Sequence, residues 1–537
     1  MIPVKPSNEY NVFALLVPEK GNGPSAMTLS YLLHGYRPYY NGNDHSNSLL
    51  LSKLQDSKAS ILDQDLEFLS EGLEGRSPNP VALLWDALTH PDADLGAESP
   101  SLLRWEHEPE KAIPHVVLGK MKPGGSWQRM EGNMQTLSQS TWMELPGLSF
   151  RQWLADRGRK LDYRATVGDV RDYYEDYVTT TGLREHFMDH HVVTSVQKVF
   201  HLRNGADCES GEVEPCCQNI RQNHQFLWEV RGYRIFNNSA STSAANSSEE
   251  DSGCEGDQDS GESSCSRSSS CGDLREDFDD LSLSCDREEF CYLAANVVLA
   301  TGTYDIPNRL GVPGENLPNV VHSLCAFEKQ LSTGDLSETS EPVCVVGAGL
   351  SAADAILMAL EAGIPVIHVF RRGPKDQNLI FKKLPQSMYP EYHHVAQLMK
   401  GEAEHELYTP YPQHRVMEIN HQMVLLKPAS PSPRSPSPPA TDSSIISVEV
   451  ACTVIMIGSR PDLSFLPCEG RNLGVVPKWQ IDSKHNPIDV GQFSYQSSHE
   501  PGLFAMGPLI GDNFVRFGIG GALGITNYLA QKSQRCD

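Results

Sequence analysis

The chain has 537 residues, 39% of them hydrophobic, which is enough for two or three domains with sizeable cores. Its net charge of −25 is concentrated, because residues 249–286 hold thirteen acidic and only two basic side chains. The mildly acidic remainder argues against a nucleic-acid-binding surface. The chain has no apolar run of about 18 residues and no secretory leader pattern, so we expect a soluble, intracellular protein without a membrane span.

The thirteen cysteines are scattered and form no CxxC pair. This distribution is typical of reduced thiols rather than of a disulfide framework. We therefore expect no metal site, with a cysteine-bound zinc ion or a redox switch as the alternatives.

The first predicted nucleotide-binding turn lies near the N-terminus. The apolar run 12–17 predicts a strand, and a helical run follows a glycine-containing turn. Such a turn lets the backbone approach a pyrophosphate at a helix N-terminus. The interruption by Pro18-Glu19-Lys20 makes this the poorer of two matches, which we assign to FAD. The predicted contacts are Gly21, Gly23, Pro24, Ser25 and Ala26.

Further segments of the first half predict a turn that passes close to a ring, a buried helix and a pair of strands. Gly124 and Gly125 let the main chain pass close to a flat ring, with Ser126 and Trp127 beside it, although an ordinary turn has the same pattern. Gln135 follows in the block MQTLSQ. The tyrosines at 173, 174 and 177 recur at helical spacing and predict helix core. Residues 191–200 and 225–235 alternate like paired antiparallel strands.

Two low-complexity segments interrupt the chain. Residues 237–289 are rich in Ser, Asp, Glu and Gly and predict a disordered acidic insertion, because they cannot bury enough apolar surface. Their serine-rich acidic runs match kinase substrates, so this segment is either a site for kinase and regulatory partners or a plain solvated loop. Residues 428–442 predict a second loop, rich in Pro and Ser.

Two strand ends in the second half predict further cofactor contacts. The apolar strand from Asn296 ends at Thr301 and Gly302, where a parallel sheet would deliver a small-residue turn to a cofactor. A second strand ends at Gly507 and leads into a glycine-rich helix. The glycines of that helix are explained equally well by helix packing.

The strongest motif is the strand–turn–helix–strand unit from Val343 to Arg372. Small residues at its turn meet the needs of a tight bend, a close pyrophosphate and close helix packing. Arg371 and Arg372 stand where a ribose partner is expected, and paired guanidinium groups favour the 2′-phosphate of NADPH over the hydroxyl of NADH. The predicted contacts are Gly347, Gly349, Ser351, Ala352, Arg371 and Arg372.

These motifs predict an α/β protein with two dinucleotide-binding, Rossmann-like domains and disordered insertions. The FAD-binding domain would comprise three separate segments, and the NADPH-binding domain would lie between the second and third. The predicted segments are 1–236, 290–340 and 446–537 for FAD, 341–445 for NADPH, and 237–289 for the insertion.

Several blocks together resemble the oxidative stress-induced growth inhibitor family of animals. They are GNGPS, SYLLHGYRPY, EGLEGRSPNP (Glu71 to Pro80), PGGSW and WMELP (Trp142 to Pro146). The chain is also similar to class B flavin monooxygenases in its His322-Ser323 pair, and to the ornithine and lysine N-hydroxylases in MQTLSQ.

This resemblance implies an FAD- and NADPH-dependent monooxygenase acting through a C4a-peroxyflavin, with Gln135 beside the flavin as the catalytic residue. O₂ and a small molecule or protein side chain would be the substrates. The family also implies roles in growth restraint, cell death and cytokinesis, and a location in the cytoplasm, with the nucleus and midbody as alternatives.

Two other functions are alternatives to the monooxygenase. A flavin disulfide reductase needs a CxxxxC pair near the first motif, and residues 21–120 contain no cysteine. A non-catalytic regulatory protein built on a flavin monooxygenase scaffold remains open.

Overall fold

The computed structural model describes residues 13–14, 22–200, 226–236, 286–429 and 445–534. The strands in these ranges are β1 Phe13–Ala14, β2 Tyr36–Tyr40, β3 Leu103–His107, β4 Val117–Leu118, β5 Phe187–Met188, β6 His191–Phe200, β7 Phe226–Phe236, β8 Asp286–Ala294, β9 Val297–Leu299, β10 Ile306–Pro307, β11 Val320–Val321, β12 Val343–Val346, β13 Val366–Phe370, β14 Tyr408–Pro412, β15 His414–Ile419, β16 Met423–Pro428, β17 Ile446–Glu449, β18 Cys452–Ile455, β19 Ser459–Arg460 and β20 Leu503–Ala505. The α-helices are α1 Pro24–Leu33, α2 Ser48–Gln55, α3 Leu66–Ser70, α4 Pro80–Thr89, α5 Phe150–Ala155, α6 Val167–Thr180, α7 Leu324–Ser332, α8 Leu350–Glu361, α9 Pro390–Lys400, α10 Val515–Gly518 and α11 Gly521–Gln534.

A three-stranded parallel sheet, β1-β9-β20, organises the first structural unit. Phe13 pairs with Val297, which pairs in turn with Leu503, so segments nearly 500 residues apart in the sequence lie side by side. Helix α11 packs against both α1 and α4 in this unit, and all three contribute buried apolar side chains to one core. The predicted α/β fold is confirmed.

The tyrosines of α6 belong to the core of the first unit, as predicted. The helix begins at the N-cap Thr166, whose hydroxyl accepts a hydrogen bond from the amide of Asp169. Tyr173, Tyr174 and Tyr177 are fully buried. Each hydroxyl donates to a backbone carbonyl in the segment 143–148, so burial leaves no phenol without a partner.

A five-stranded parallel sheet in the order β11-β18-β12-β13-β14 forms the second unit. The predicted boundaries of this unit, 341 and 445, are too narrow. Strand β11 precedes the first of them, β18 follows the second and lies next to β12, and Phe327 of α7 is buried in the same core. Parallel pairing between strands distant in sequence decides which unit each strand joins, and local pattern does not reveal it.

The acidic insertion separates two paired strands, and the strand after it starts earlier than predicted. β7 pairs antiparallel with β6 and with β8, and Phe236 lies opposite Asp286. Residues 286–289 therefore belong to β8 and not to the insertion. Their side chains are exposed and polar. An edge strand tolerates such side chains, because its pairing depends on main-chain hydrogen bonds. Residues 237–285 lie outside the described residues.

The predicted Pro/Ser loop also begins later than expected. Residue Pro428 is the last of β16, which pairs with β15 and β17 in a three-stranded antiparallel sheet. Residues 430–444 lie outside the described residues. No helix in the described part of the chain is long and apolar enough to cross a bilayer.

Candidate dinucleotide sites

The first glycine turn meets the predicted Gly-Gly loop. Gly23 is the N-cap of α1, with Pro24 at the first helical position. The amide of Gly124 donates to the carbonyl of Asn22 at 2.9 Å, and a Cβ on Gly23 would lie 3.8 Å from the Gly124 oxygen. Two segments about 100 residues apart in sequence are thus held side by side. Gly21 lies outside the described residues.

Asn22 has a buried polar atom without a partner at this turn. Its side chain is 1% exposed, and its Nδ2 donates to the Met121 carbonyl at 2.5 Å. Its Oδ1 is buried and has no hydrogen-bond partner among the described residues. A buried acceptor without a donor costs free energy, so an orphaned atom beside a helix N-terminus is the kind of feature a bound group resolves.

The first turn of α1 also contacts two glycines of the C-terminal segment, Gly507 and Gly518. The Ser25 hydroxyl donates to the Gly518 carbonyl at 3.0 Å. Gly507 has φ +68°, and a Cβ there would lie 2.9 Å from the Ser25 Oγ. Ala26, also predicted to contact the dinucleotide, is fully buried in the same helix. Ser25 and Gly507, predicted separately, are therefore neighbours.

Helix α10, which carries Gly518, is anchored by a buried charge. The Arg516 guanidinium is 1% exposed and donates to both carboxylate oxygens of Asp86, at 3.1 and 3.0 Å, and also to Asp94. Its guanidinium carbon lies over the Trp142 ring, 4.2 Å from the ring centroid. This contact joins the C-terminal segment to α4. Removing either partner would leave the other charge buried and uncompensated.

Asp512 is a residue of this region that the sequence analysis missed. It is 3% exposed, and its two carboxylate oxygens accept from the Ser77 hydroxyl at 2.5 Å and the Asn79 side-chain amide at 2.8 Å. Its own amide donates to the Gly507 carbonyl. Burial raises its pKa to about 6, against the opposing effect of the two hydrogen bonds. Its sequence signal is the block Ser77-Pro-Asn-Pro, which supplies both of its hydrogen-bond donors.

The other predicted flavin contacts lie around the same unit. Gly125 has φ +60° and begins the short helix that carries Ser126 and Trp127, both half-buried. The Trp127 ring meets Tyr174 edge-to-face at 6.0 Å. Thr301 is 2% exposed just beyond β9, and a Cβ on Gly302 would meet no atom within 4 Å. Open space therefore lies at the carboxyl end of the first sheet.

Gln135 lies where the two units meet, and its side chain is exposed. It bridges to Thr166 through the backbone. The next carbonyl, of Thr136, accepts from Arg164 Nε at 2.6 Å, and Arg164 also pairs with Glu391 of α9 at 2.6 Å. These contacts join the MQTLSQ block to the second unit. The role of Gln135 beside a flavin remains a prediction.

The second glycine turn is packed against a neighbouring strand end. Gly347 has φ +143°, and a Cβ there would lie 2.2 Å from the Met456 carbonyl oxygen. The buried His368 Nε2 donates to the Gly347 carbonyl at 2.6 Å, and Tyr408 donates to its Nδ1 at 2.7 Å. Burial lowers the pKa of His368 to about 4, so the ring is neutral and both nitrogens are used. The only sequence signal was a histidine inside the apolar strand VIHVF.

Gly349 behaves differently from Gly347. It is the N-cap of the 12-residue helix α8, with extended backbone angles, and a Cβ there would meet no atom within 4 Å. Ser351 is half-buried in the first turn, and Ala352 is packed against Gly347. Open space in front of free helix amides fits a phosphate group.

The two arginines follow β13 at the same end of the sheet as the glycine turn. Both Arg371 and Arg372 are exposed. Arg372 Nη1 donates to the Asn378 carbonyl at 2.7 Å, so this side chain also holds the following loop. The structure therefore places the pair beyond the carboxyl end of the strand, where the ribose partner was predicted.

Two cysteines of the second unit lie on adjacent strands. Cys344 in β12 and Cys452 in β18 are both buried, and burial raises the pKa of each thiol to about 12. Thiols held protonated in this way are poor nucleophiles. They do not resemble a redox-active pair.

Comparisons with known proteins agree with this geometry. Residues 275–430 match the family model described as pyridine nucleotide-disulphide oxidoreductase. The fold is similar to that of the bacillithiol disulfide reductase Bdr from Bacillus cereus, with a TM-score of 0.52, 14% identity and coverage of 98% of this chain and 100% of that one. At this identity the likeness shows the fold alone.

Two human proteins are similar over nearly their whole length. The chain is 40% identical to oxidative stress-induced growth inhibitor 2 over 528 residues, covering 96% of this chain and 93% of that protein. It is 41% identical to oxidative stress-induced growth inhibitor 1 over 523 residues, covering 96% and 95%. Identity at this level over this length exceeds what a shared fold alone produces, so the chain belongs to the oxidative stress-induced growth inhibitor family.

Proposed function

We propose that the protein is a monooxygenase that uses FAD and NADPH. The observation that carries the proposal is the pair of glycine-capped helix N-termini, at Gly23 and at Gly349, in two separate α/β units. The first has an orphaned buried acceptor beside it and the second has open space in front of it. One chain with two such sites suits a flavin and a nicotinamide dinucleotide.

The residues of the first unit would hold the flavin. The amides at the start of α1 would bind its pyrophosphate, with Asn22 offering a buried acceptor to a hydroxyl or amine of the same ligand. Gly124 and Gly125 would let the chain pass close to the ring, and Trp127 would shield it from water. When bound, the flavin would supply the hydride and oxygen chemistry, which no side chain provides.

The residues of the second unit would hold NADPH. The amides at the start of α8 would bind its pyrophosphate, and His368 would keep the Gly347 turn in position by its bond to the carbonyl. Arg371 would bind the 2′-phosphate by charge-assisted hydrogen bonds. Arg372 would assist while it holds the 376–378 loop.

The cysteines favour an oxygenase over a disulfide reductase. Residues 21–120 contain no cysteine, and the buried thiols of Cys344 and Cys452 have raised pKa values. A dithiol that attacks a disulfide needs a thiolate close to the flavin. We propose a small molecule or a protein side chain as the substrate. We propose growth restraint as the biological role, which is what the relatives' names say of those proteins. The role would extend to cell death and cytokinesis, and the location would be the cytoplasm.

Spectroscopy of the purified protein tests the proposal. We expect flavin bands, bleaching by NADPH under nitrogen, and oxygen uptake when air is admitted. Arg371→Gln should lower the preference for NADPH over NADH at least tenfold, about 1.4 kcal/mol. The control Arg415→Gln, at an exposed arginine on β15, should leave it unchanged.

A colourless protein after flavin reconstitution would refute the proposal. A yellow protein that NADPH does not reduce, yet still restrains growth, would instead support a regulatory protein on a monooxygenase scaffold.

A further inference from the structure

A cluster of four histidines surrounds the C-terminal end of α1, away from its glycine-capped start. His34 caps the helix, His107 ends β3, and His115 and His186 precede the paired strands β4 and β5. The His34 and His107 rings stack at 5.2 Å, and the His115 and His186 rings stack at 4.1 Å. The cluster brings together four separate segments of the chain.

Two of these histidines direct ring nitrogens at each other. His34 Nδ1 and His186 Nε2 are 2.8 Å apart, and a carboxylate oxygen of Glu185 completes a set of three atoms that all lie within 4.8 Å of one another. Ligands about 2.1 Å from one tetrahedral ion are roughly 3.4 Å apart. Small side-chain rotations therefore convert this set into a coordination shell.

The hydrogen bonds around the set orient one ring for a metal. His186 Nδ1 lies 3.3 Å from the carbonyl oxygen of His115, which can only accept, so Nδ1 carries the proton and Nε2 presents its lone pair. His115 is itself fixed, because its Nε2 bonds to the Ser30 hydroxyl and its Nδ1 to the Ile113 carbonyl. A ligand histidine held by a backbone carbonyl is the usual support for a metal site.

The electrostatics also suit a cation. The C-terminal end of a helix carries partial negative charge, and His34 lies at that end of α1. The nearby Arg184 is paired with Asp189. Glu185 is largely exposed and supplies the negative charge.

We propose that His34, Glu185 and His186 bind one divalent ion of the zinc class. Two imidazoles and one carboxylate are borderline ligands that suit zinc, and the fourth position would hold water. The ion would tie the end of α1 to the segment before β5. On binding, the proton that His34 Nδ1 shares with His186 passes to the other nitrogen of the His34 ring or to solvent.

Cobalt(II) is the probe of choice, because its visible absorption distinguishes nitrogen and oxygen ligands from the thiolates of thirteen cysteines. We expect the full-length protein to bind one Co²⁺ with tetrahedral ligand-field bands and no sulfur charge-transfer band, and Zn²⁺ to displace it. His186→Gln should abolish this binding, and Glu185→Gln should weaken it at least tenfold. The control His485→Gln, an exposed histidine paired with Asp482, should bind like the wild type.

Equal cobalt binding by wild type and His186→Gln would overturn the proposal, as would a thiolate spectrum. A second test uses the unsubstituted protein and therefore does not depend on the folding of a variant. Zn²⁺ should protect His34 and His186, but not His485, from acylation by diethyl pyrocarbonate, as read by mass spectrometry. Unchanged labelling of His34 and His186 would equally contradict the site.

Discussion

Alanine substitutions at Gly347 and Gly349 should have opposite consequences, although the two residues are two positions apart in one turn. Gly347 is required by the fold, because its backbone has φ +143° and a Cβ would lie 2.2 Å from the Met456 carbonyl oxygen. Gly349 has φ −102° and ψ −175°, which any residue adopts, and its Cβ would meet nothing within 4 Å. The open space there is where we propose that the NADPH pyrophosphate binds.

The magnitudes follow from these contacts. In Gly347→Ala, a backbone conformation unfavourable for alanine costs about 1–3 kcal/mol, and overpacking costs about as much again. The Met456 carbonyl cannot move away easily, because the Met456 amide donates a hydrogen bond to the Val346 carbonyl of the adjacent strand at 2.8 Å. We expect a loss of roughly 3 kcal/mol or more in the free energy of unfolding. Gly349→Ala alters only an N-cap and should cost about 0.5–1 kcal/mol.

Nucleotide binding should show the reverse order of sensitivity. A methyl group on residue 349 would occupy the space in front of the α8 amides, so the affinity of Gly349→Ala for NADPH should fall at least tenfold, about 1.4 kcal/mol. Thermal and urea denaturation would measure stability, and titration of NADPH by the rate of flavin reduction would measure binding. The wild-type protein and Arg415→Gln serve as controls in both assays.

Two results would refute this reasoning. A Gly347→Ala protein as stable as the wild type would show that the turn does not pack against Met456. A well-folded Gly349→Ala protein with unchanged NADPH affinity would show that the open space is not the phosphate site.

Two further predictions concern His368 and the acidic insertion. The pKa of His368 is about 4 in the folded protein, whereas that of an unfolded histidine is about 6.5. Between these values the unfolded state binds more protons than the folded state. The free energy of unfolding should therefore fall by about 2 kcal/mol as the pH drops from 7 to 5. His368→Gln should remove this part of the pH dependence in urea denaturation, and an unchanged slope would contradict it. Deleting residues 240–284 should leave the melting temperature and flavin content nearly unchanged, because Phe236 already pairs with Asp286 and the four remaining residues can close the hairpin. Loss of folded protein on this deletion would show that the segment contributes to the core.

The sequence by itself determined the features that lie within one short stretch of chain. The unit from Val343 to Arg372 was recognisable because a strand, a glycine turn, a helix and a second strand follow one another, and the structure has them at the predicted places. The buried tyrosines of α6 were predictable for the same reason, since helical spacing puts them on one face.

Only the tertiary structure decided which distant segments meet. β18 joins the second unit because it pairs with β12, although its sequence pattern fits a buried strand of either unit. Asp512 lies against Ser77 across 435 residues, and His34 meets His186 across 152 residues. Such contacts depend on how parallel sheets bring their strands together, and the local pattern of apolar and polar residues carries no record of that pairing.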